Sequence, residues 1–197
     1  MLLWEEVSLS TNNWQSCLRQ SDETLVGFTC ILVLVFIEQE ILFKQINLDL
    51  PWNHEANRLH FQKPIFTYVS PAVSEQATSD GDALSHFAGN MYVFGTDKAL
   101  RLNQEDFPDG TSNTLMAGQA LGNFKPWGHT TNWRDPGLGI NTTADGFGNP
   151  NTNQKYVLFL LADGSVRTIN ENVKSEFLKA MAMPAGRQRI PDNWDEP

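Results

Sequence analysis

The chain has 197 residues, with 14 Lys and Arg against 23 Asp and Glu, and so a formal net charge of −9. That length fits one domain with a sizeable core. The acidic balance argues against an extended nucleic-acid interface or a face for anionic membranes. Cys17 and Cys30 are too few for a disulfide framework and read as two independent small residues. His54, His60, His86 and His129 stand at no zinc-protease spacing.

Residues 1–23 are polar and mixed, and their first positive charge is Arg19, so they lack the basic start of a secretory signal. The apolar run from Leu25 to Ile37 has 13 residues, short of the roughly 20 a membrane helix needs. Its Val, Ile and Phe content predicts a buried strand. Glu38 to Leu48 has helical spacing, with Glu40 and Lys44 at i and i+4. Pro51-Trp52-Asn53 ends that helix, and Asn53 is the expected cap of a second one over 54–63. Ile65 to Val69 alternates as a strand would, and 70–83 reads as a loop.

A β-rich half follows. Strands are expected within His86 to Gly95 and over Thr114 to Ala120, with a turn at Phe107-Pro108-Asp109-Gly110 between them. The stretch 121–154 is rich in Gly, Asn, Pro and Trp. It is too long for a structureless connection and reads as functional or as a compact ordered insert. Tyr156 to Leu161 and Val166 to Ile169 flank Asp163-Gly164, a hairpin signature. Asn172 is the expected cap of a last helix over 173–183, and Pro184 ends it.

Chemical motifs are sparse. No phosphate loop and no nucleophile elbow are present, and no nucleophile–base constellation supports an enzyme. Asp80-Gly81-Asp82 and the loop oxygens of Asp145, Asn149 and Asn151 are the weak candidates for calcium, which needs six to eight oxygen ligands. Ordinary turn chemistry is the favoured reading, so no cofactor is expected. Trp127 and Trp133 with His129 could stack on a glycan, although anchoring the long loop to the sheet is favoured. A calcium- or glycan-binding module using 121–154 is therefore the alternative function.

Taken in order, five strings resemble one family. They are Asp109-Gly110-Thr111-Ser112-Asn113-Thr114, Pro126-Trp127-Gly128, Arg134 and Asp135 leading to Asn141, Asp145 to Gly148, and Leu161 to Arg167 with Asp163-Gly164-Ser165 inside. Upstream, Phe36 to Asn53 and Glu55-Ala56-Asn57-Arg58 are similar to the middle of the same family. It is the large planctomycete family of prepilin-like proteins of unknown function with a C-terminal processing-associated module. Three departures stand out. Asn153 replaces the module's His, Val69-Ser70-Pro71 replaces a Cys-Pro-Ser, and Gly27-Phe28-Thr29 imitates the prepilin signal without its basic leader or its Glu, the position being Leu32.

The resemblance implies an α+β fold, with a few short helices on an antiparallel sheet like a type IV pilin or pseudopilin head. It implies residues 1–23 as a non-family segment, 24–187 as the pilin-like domain and 188–197 as a polar tail. It also implies an extracytoplasmic, non-enzymatic protein that meets other pilin-like or envelope proteins and no nucleic acid. The membrane anchor normal in the family is the element this sequence does not display.

Overall fold

The computed structural model describes residue 31, residues 34–96, residue 100, residues 104–151 and residues 153–186. Cys17, Cys30, the Gly27-Phe28-Thr29 string and most of the 25–37 run lie outside the described residues. Among the described residues, four short helices and a five-stranded sheet make an α+β fold, as expected. The helices are α1 (Glu40–Gln45), α2 (Glu55–Phe61), α3 (Met91–Phe94) and α4 (Ser175–Ala182). The strands are β1 (Leu84–Ser85), β2 (Phe87–Asn90), β3 (Leu115–Gln119), β4 (Lys125–Pro126), β5 (Trp133–Arg134), β6 (Tyr156–Leu161) and β7 (Val166–Asn170). The main sheet runs β5-β2-β3-β6-β7, antiparallel except for the parallel β2–β5 pair. β1 and β4 pair separately.

The β6–β7 hairpin forms where Asp163-Gly164 predicts it, in an unbroken register from Tyr156–Asn170 to Leu160–Val166. Gly164 takes a φ of 84°, which glycine adopts without a Cβ penalty. The Asp163 carboxylate accepts from the Ser165 backbone N–H at 2.9 Å and its hydroxyl at 2.6 Å. Along β6, Val157, Phe159 and Leu161 face inward while Tyr156, Leu158 and Leu160 face out. The inward set joins Ala88, Leu115, Ile140, Phe147, Ile169, and Leu178 and Met181 of α4 in the sheet core. Asn90, fully buried, ties this layer together. Its amide donates to the Leu115 carbonyl of β3 and to the Ala182 carbonyl at the end of α4, at 2.7 and 2.6 Å.

A second core joins residues of the first half of the chain to Trp127: Ile31, Leu34, Leu42, Ile46, Phe61, Ile65 and Tyr68 pack with it. Backbone bonds knit this core together through Ala83 N–H to Phe61 O and Trp127 N–H to Ala83 O, both 3.0 Å. His86 adds a buried crosslink. Its Nδ1 accepts from Ser70 N–H at 2.7 Å, so its Nε2 carries the hydrogen and donates to Glu75 O at 2.8 Å.

Several sequence expectations need correction. The described end of the apolar run is not a strand: Leu34–Ile37 is a 3₁₀ turn, and Ile31 and Leu34 bury at helical spacing. Glu38 then takes a φ of 61°, so the turn and α1 are not one helix. Ile65 to Val69 is not a strand either. Phe66–Tyr68 is a 3₁₀ turn closed by Tyr68 N–H to Ile65 O, with Ile65 and Tyr68 inward and Phe66 out. Val, Ile and Phe content in the first segment and alternation in the second imitate a strand, but the core is reached at i and i+3.

Caps also differ. His54, not Asn53, caps α2, its Nδ1 accepting from Ala56 N–H at 3.2 Å. Asn172 does not cap the last helix. It lies in the turn after β7, its N–H given to Asn170 Oδ1, and α4 starts later behind Lys174. The 86–95 region splits at Asn90, whose Oδ1 accepts from Tyr92 N–H and turns the chain from β2 into α3. The 121–154 stretch is ordered in short pieces, holding β4, β5 and a 3₁₀ turn at Pro136–Leu138. No helix among the described residues is long and apolar enough to cross a membrane.

Candidate functional site

The residues singled out by sequence fall in three places. At one end of the sheet, the two Asp-Gly turns dock on each other. Gly110, at φ 94°, opens the 3₁₀ turn that holds Ser112 and Asn113, and Asn113 Nδ2 donates to Asp109 O at 2.9 Å. Asp163 N–H then reaches Thr111 O at 3.1 Å, and Ala162 N–H reaches Thr114 O at 2.9 Å. Strings some fifty residues apart thus form one corner. The Ser165 hydrogen bonds hold the Asp163 carboxyl below its ordinary range, and Arg167 contributes less.

The second place is the long loop. Arg134 is buried, yet its two terminal nitrogens point at backbone carbonyls. Nη1 donates to Ala144 O at 2.7 Å and Gly146 O at 3.4 Å; Nη2 donates to Gly122 O at 2.7 Å and Asn123 O at 3.1 Å. A single guanidinium fork therefore closes two loop segments against each other. Asp135, next along, accepts from Gly137 N–H at 2.7 Å and caps the Pro136–Leu138 turn. It also bonds Tyr92, whose hydroxyl pKa is raised by burial first and by the Asp135 charge second.

Beside Arg134 lie Lys125, Thr131 and His129, a polar cluster the sequence did not reveal because turn chemistry alone assembles it. Lys125 Nζ donates to Thr131 O and Oγ1 at 2.7 and 3.0 Å, and His129 Nδ1 accepts from Thr131 N–H at 3.2 Å. Burial, then the Lys125 charge, pushes the His129 pKa below its ordinary value. The folded state therefore favours neutral His129, and the unfolded chain binds this proton first. Stability should fall as pH drops below about 6.5 toward the depressed folded value. In urea melts at pH 7.5 and 5.5, His129→Asn, which keeps the acceptor, is expected to lose less stability on acidification than the parent. Equal losses would remove His129 as a source.

The third place is the helical core. Pro126 lies on β4 and Trp127 is wholly buried, its Nε1 donating to Lys63 O at 3.1 Å and its ring 4.2 Å from Phe61. The Phe61 ring also lies on Gly128, where an added Cβ would come within 2.2 Å of it. Gly128→Ala is expected to cost about 1–3 kcal/mol in a denaturant melt. Pairing it with Phe61→Leu should return part of that loss, a coupling that independent sites would not show.

These placements bear on the ligand alternatives. Trp127 presents no free ring face to a sugar. Trp133 lies on β5 and would meet a Cβ at Gly95 rather than sharing a platform with Trp127. Asp145 Oδ1 accepts from Asn123 Nδ2, Asn149 Oδ1 from Asn151 N–H, and Asn151 Oδ1 from Asn153 N–H. Asp80 and Asp82 face Arg58 at 3.8 and 3.5 Å. Among the described residues no group of three or more His, Cys, Asp or Glu is placed to hold a metal.

What remains open to solvent is the outer face of the hairpin. Tyr156, Leu158, Leu160 and Val166 are each more than a third exposed, and their cross-strand row includes only Thr168 and Asn170 besides. β6 is apolar at every position, and the polar VRTIN of its partner strand is the sequence signal that one side stays open. No family model matches the chain, and no curated protein or solved structure is significantly similar to it.

Proposed function

We propose that the protein is a non-enzymatic, pseudopilin-like envelope protein that works by surface contact. The observation that carries this reading is how the family-like residues are used. Asp109, Gly110, Asn113, Trp127, Arg134, Asp135, Asp163 and Ser165 are engaged in turns, loop closure and core packing at three separate places, not around one cleft. Such a pattern supports a scaffold whose strings preserve shape, on an α+β frame with a few short helices. The uncharged and largely apolar outer row of β6 and β7 is the surface such a scaffold would offer. On this reading the partners are other pilin-like or envelope proteins.

The test is fractionation of cells that make the protein natively, followed by immunoblotting. Recovery with the envelope supports the proposal. Recovery wholly with a cytosolic marker enzyme sinks it, whatever the fold.

A further inference from the structure

We propose that two copies of this chain associate through the free edge of β7, joining their sheets across a two-fold axis; this does not depend on the pilin-like reading. β7 is the last strand of the sheet. Ladder bonds run from Leu161 N–H to Ser165 O and from Glu171 N–H to Lys155 O. Antiparallel alternation then turns the amides of Arg167 and Ile169 toward β6 and those of Val166, Thr168 and Asn170 away from it. Among the described residues, the outward N–H groups of Val166, Thr168 and Asn170 have no backbone partner.

Sheet edges are usually blunted by Pro, by charged side chains or by a bulge. β7 has neither Pro nor a bulge in its five-pair register with β6, and its one charge, Arg167, blunts the edge only where no opposite charge meets it. Its charges are self-complementary in one register. With the axis at Ile169, Thr168 faces Asn170 of the second copy, and Arg167 faces Glu171 of the second copy, each pair occurring twice by symmetry. An axis at Thr168 would set Arg167 against Ile169, and an axis at Arg167 would oppose two guanidinium groups. The charges therefore select the Ile169 axis. Glu171 is already held in place from below, accepting from Lys155 Nζ at 2.7 Å and Asn141 Nδ2 at 2.8 Å. The outer row of Tyr156, Leu158, Leu160 and Val166 would run on across the seam. One strand pair buries little area, so the dimer is a weak one.

Sedimentation equilibrium of the full chain, from roughly 10 µM to 1 mM, suits an interface this small. The weight-average mass is expected to climb from 22.2 kDa toward twice that value. Thr168→Pro removes an outward N–H that the fold does not use and should hold the mass at the monomer value with an unchanged circular dichroism spectrum. Arg167→Glu should weaken association about tenfold, the summed coupling of the two symmetry-related charge pairs, and Arg167→Glu with Glu171→Arg should restore most of it. A monomer at every concentration overturns the proposal. So does a dimer indifferent to both Arg167→Glu and the swap, which would place the contact elsewhere even if the proline variant failed to fold.

Discussion

Arg134→Met is expected to lower the unfolding free energy by about 3–5 kcal/mol, the range for removing one partner from a buried, charge-assisted network. Methionine keeps the apolar stem of the side chain but not the guanidinium head, so the loss reports the hydrogen bonds together with the space that head fills. Four carbonyls, those of Gly122, Asn123, Ala144 and Gly146, would lose their donor together. Arg134→Lys keeps the charge but not the fork: one ammonium cannot reach acceptors on both segments, so less than half of the loss should be recovered. Urea melts of the three proteins decide the point. A loss below about 1 kcal/mol for the methionine variant would mean that solvent satisfies these carbonyls and the fork is dispensable.

Asn57→Asp should be comparably severe and is a sharper test, because it changes almost no volume. Asn57 is fully buried at the inner side of α2. Its Nδ2 shares two hydrogens among the carbonyls of Asn47, Leu50 and Pro51 at 2.8, 3.1 and 3.0 Å. Its Oδ1 accepts from Asn47 N–H at 2.9 Å. The amide thus replaces the partners that the turn between α1 and α2 would otherwise lack. An aspartate there removes both donated hydrogens and turns a negative charge toward three carbonyl oxygens. The expected loss is about 3–5 kcal/mol at neutral pH. Burial and those oxygens would raise the pKa of the new carboxyl, so protonation should return part of the loss on acidification. A variant whose loss is small, or is unrelieved at pH 5, would contradict this account of Asn57.

Both residues lay inside strings the sequence made conspicuous, Glu55-Ala56-Asn57-Arg58 and Arg134-Asp135-Pro136-Gly137. Their positions were legible and their tasks were not. A backbone carbonyl has no side-chain signature, so nothing in a sequence marks Gly122 or Leu50 as the acceptor an Arg or Asn will find. The hairpin was legible to the residue because local rules govern it: two short β-prone runs with an Asp-Gly turn between them. The Glu40–Lys44 pair, found at 2.7 Å, was legible for the same reason, though its exposure makes it worth only a few tenths of a kcal/mol.

The segments at 34–37 and 65–69 were misread as strands because tertiary burial decided them. Each offers the core one face through two residues three apart, Leu34 with Ile31 before it in the first and Ile65 with Tyr68 in the second, and so short a stretch fits either period. Caps failed similarly. Asn53 and Asn172 have suitable side chains, but the helices start one and two residues later, where the core-facing residues have to lie. The outer row of β6 was hidden by its own hydrophobicity, since a run apolar at every position reads as buried at every position.

The guanidinium of Arg134 also fixes how the long loop must fluctuate. Segments 122–123 and 144–146 share one anchor, so neither can leave it without releasing the other. Amide hydrogen exchange should accordingly show Leu121, whose N–H bonds Gly146 O, and Gly146, whose N–H bonds Thr143 O, becoming labile together, at one common rate and with one common sensitivity to denaturant. A connection of this length would ordinarily be a string of independent openings; one side chain makes it a single cooperative latch.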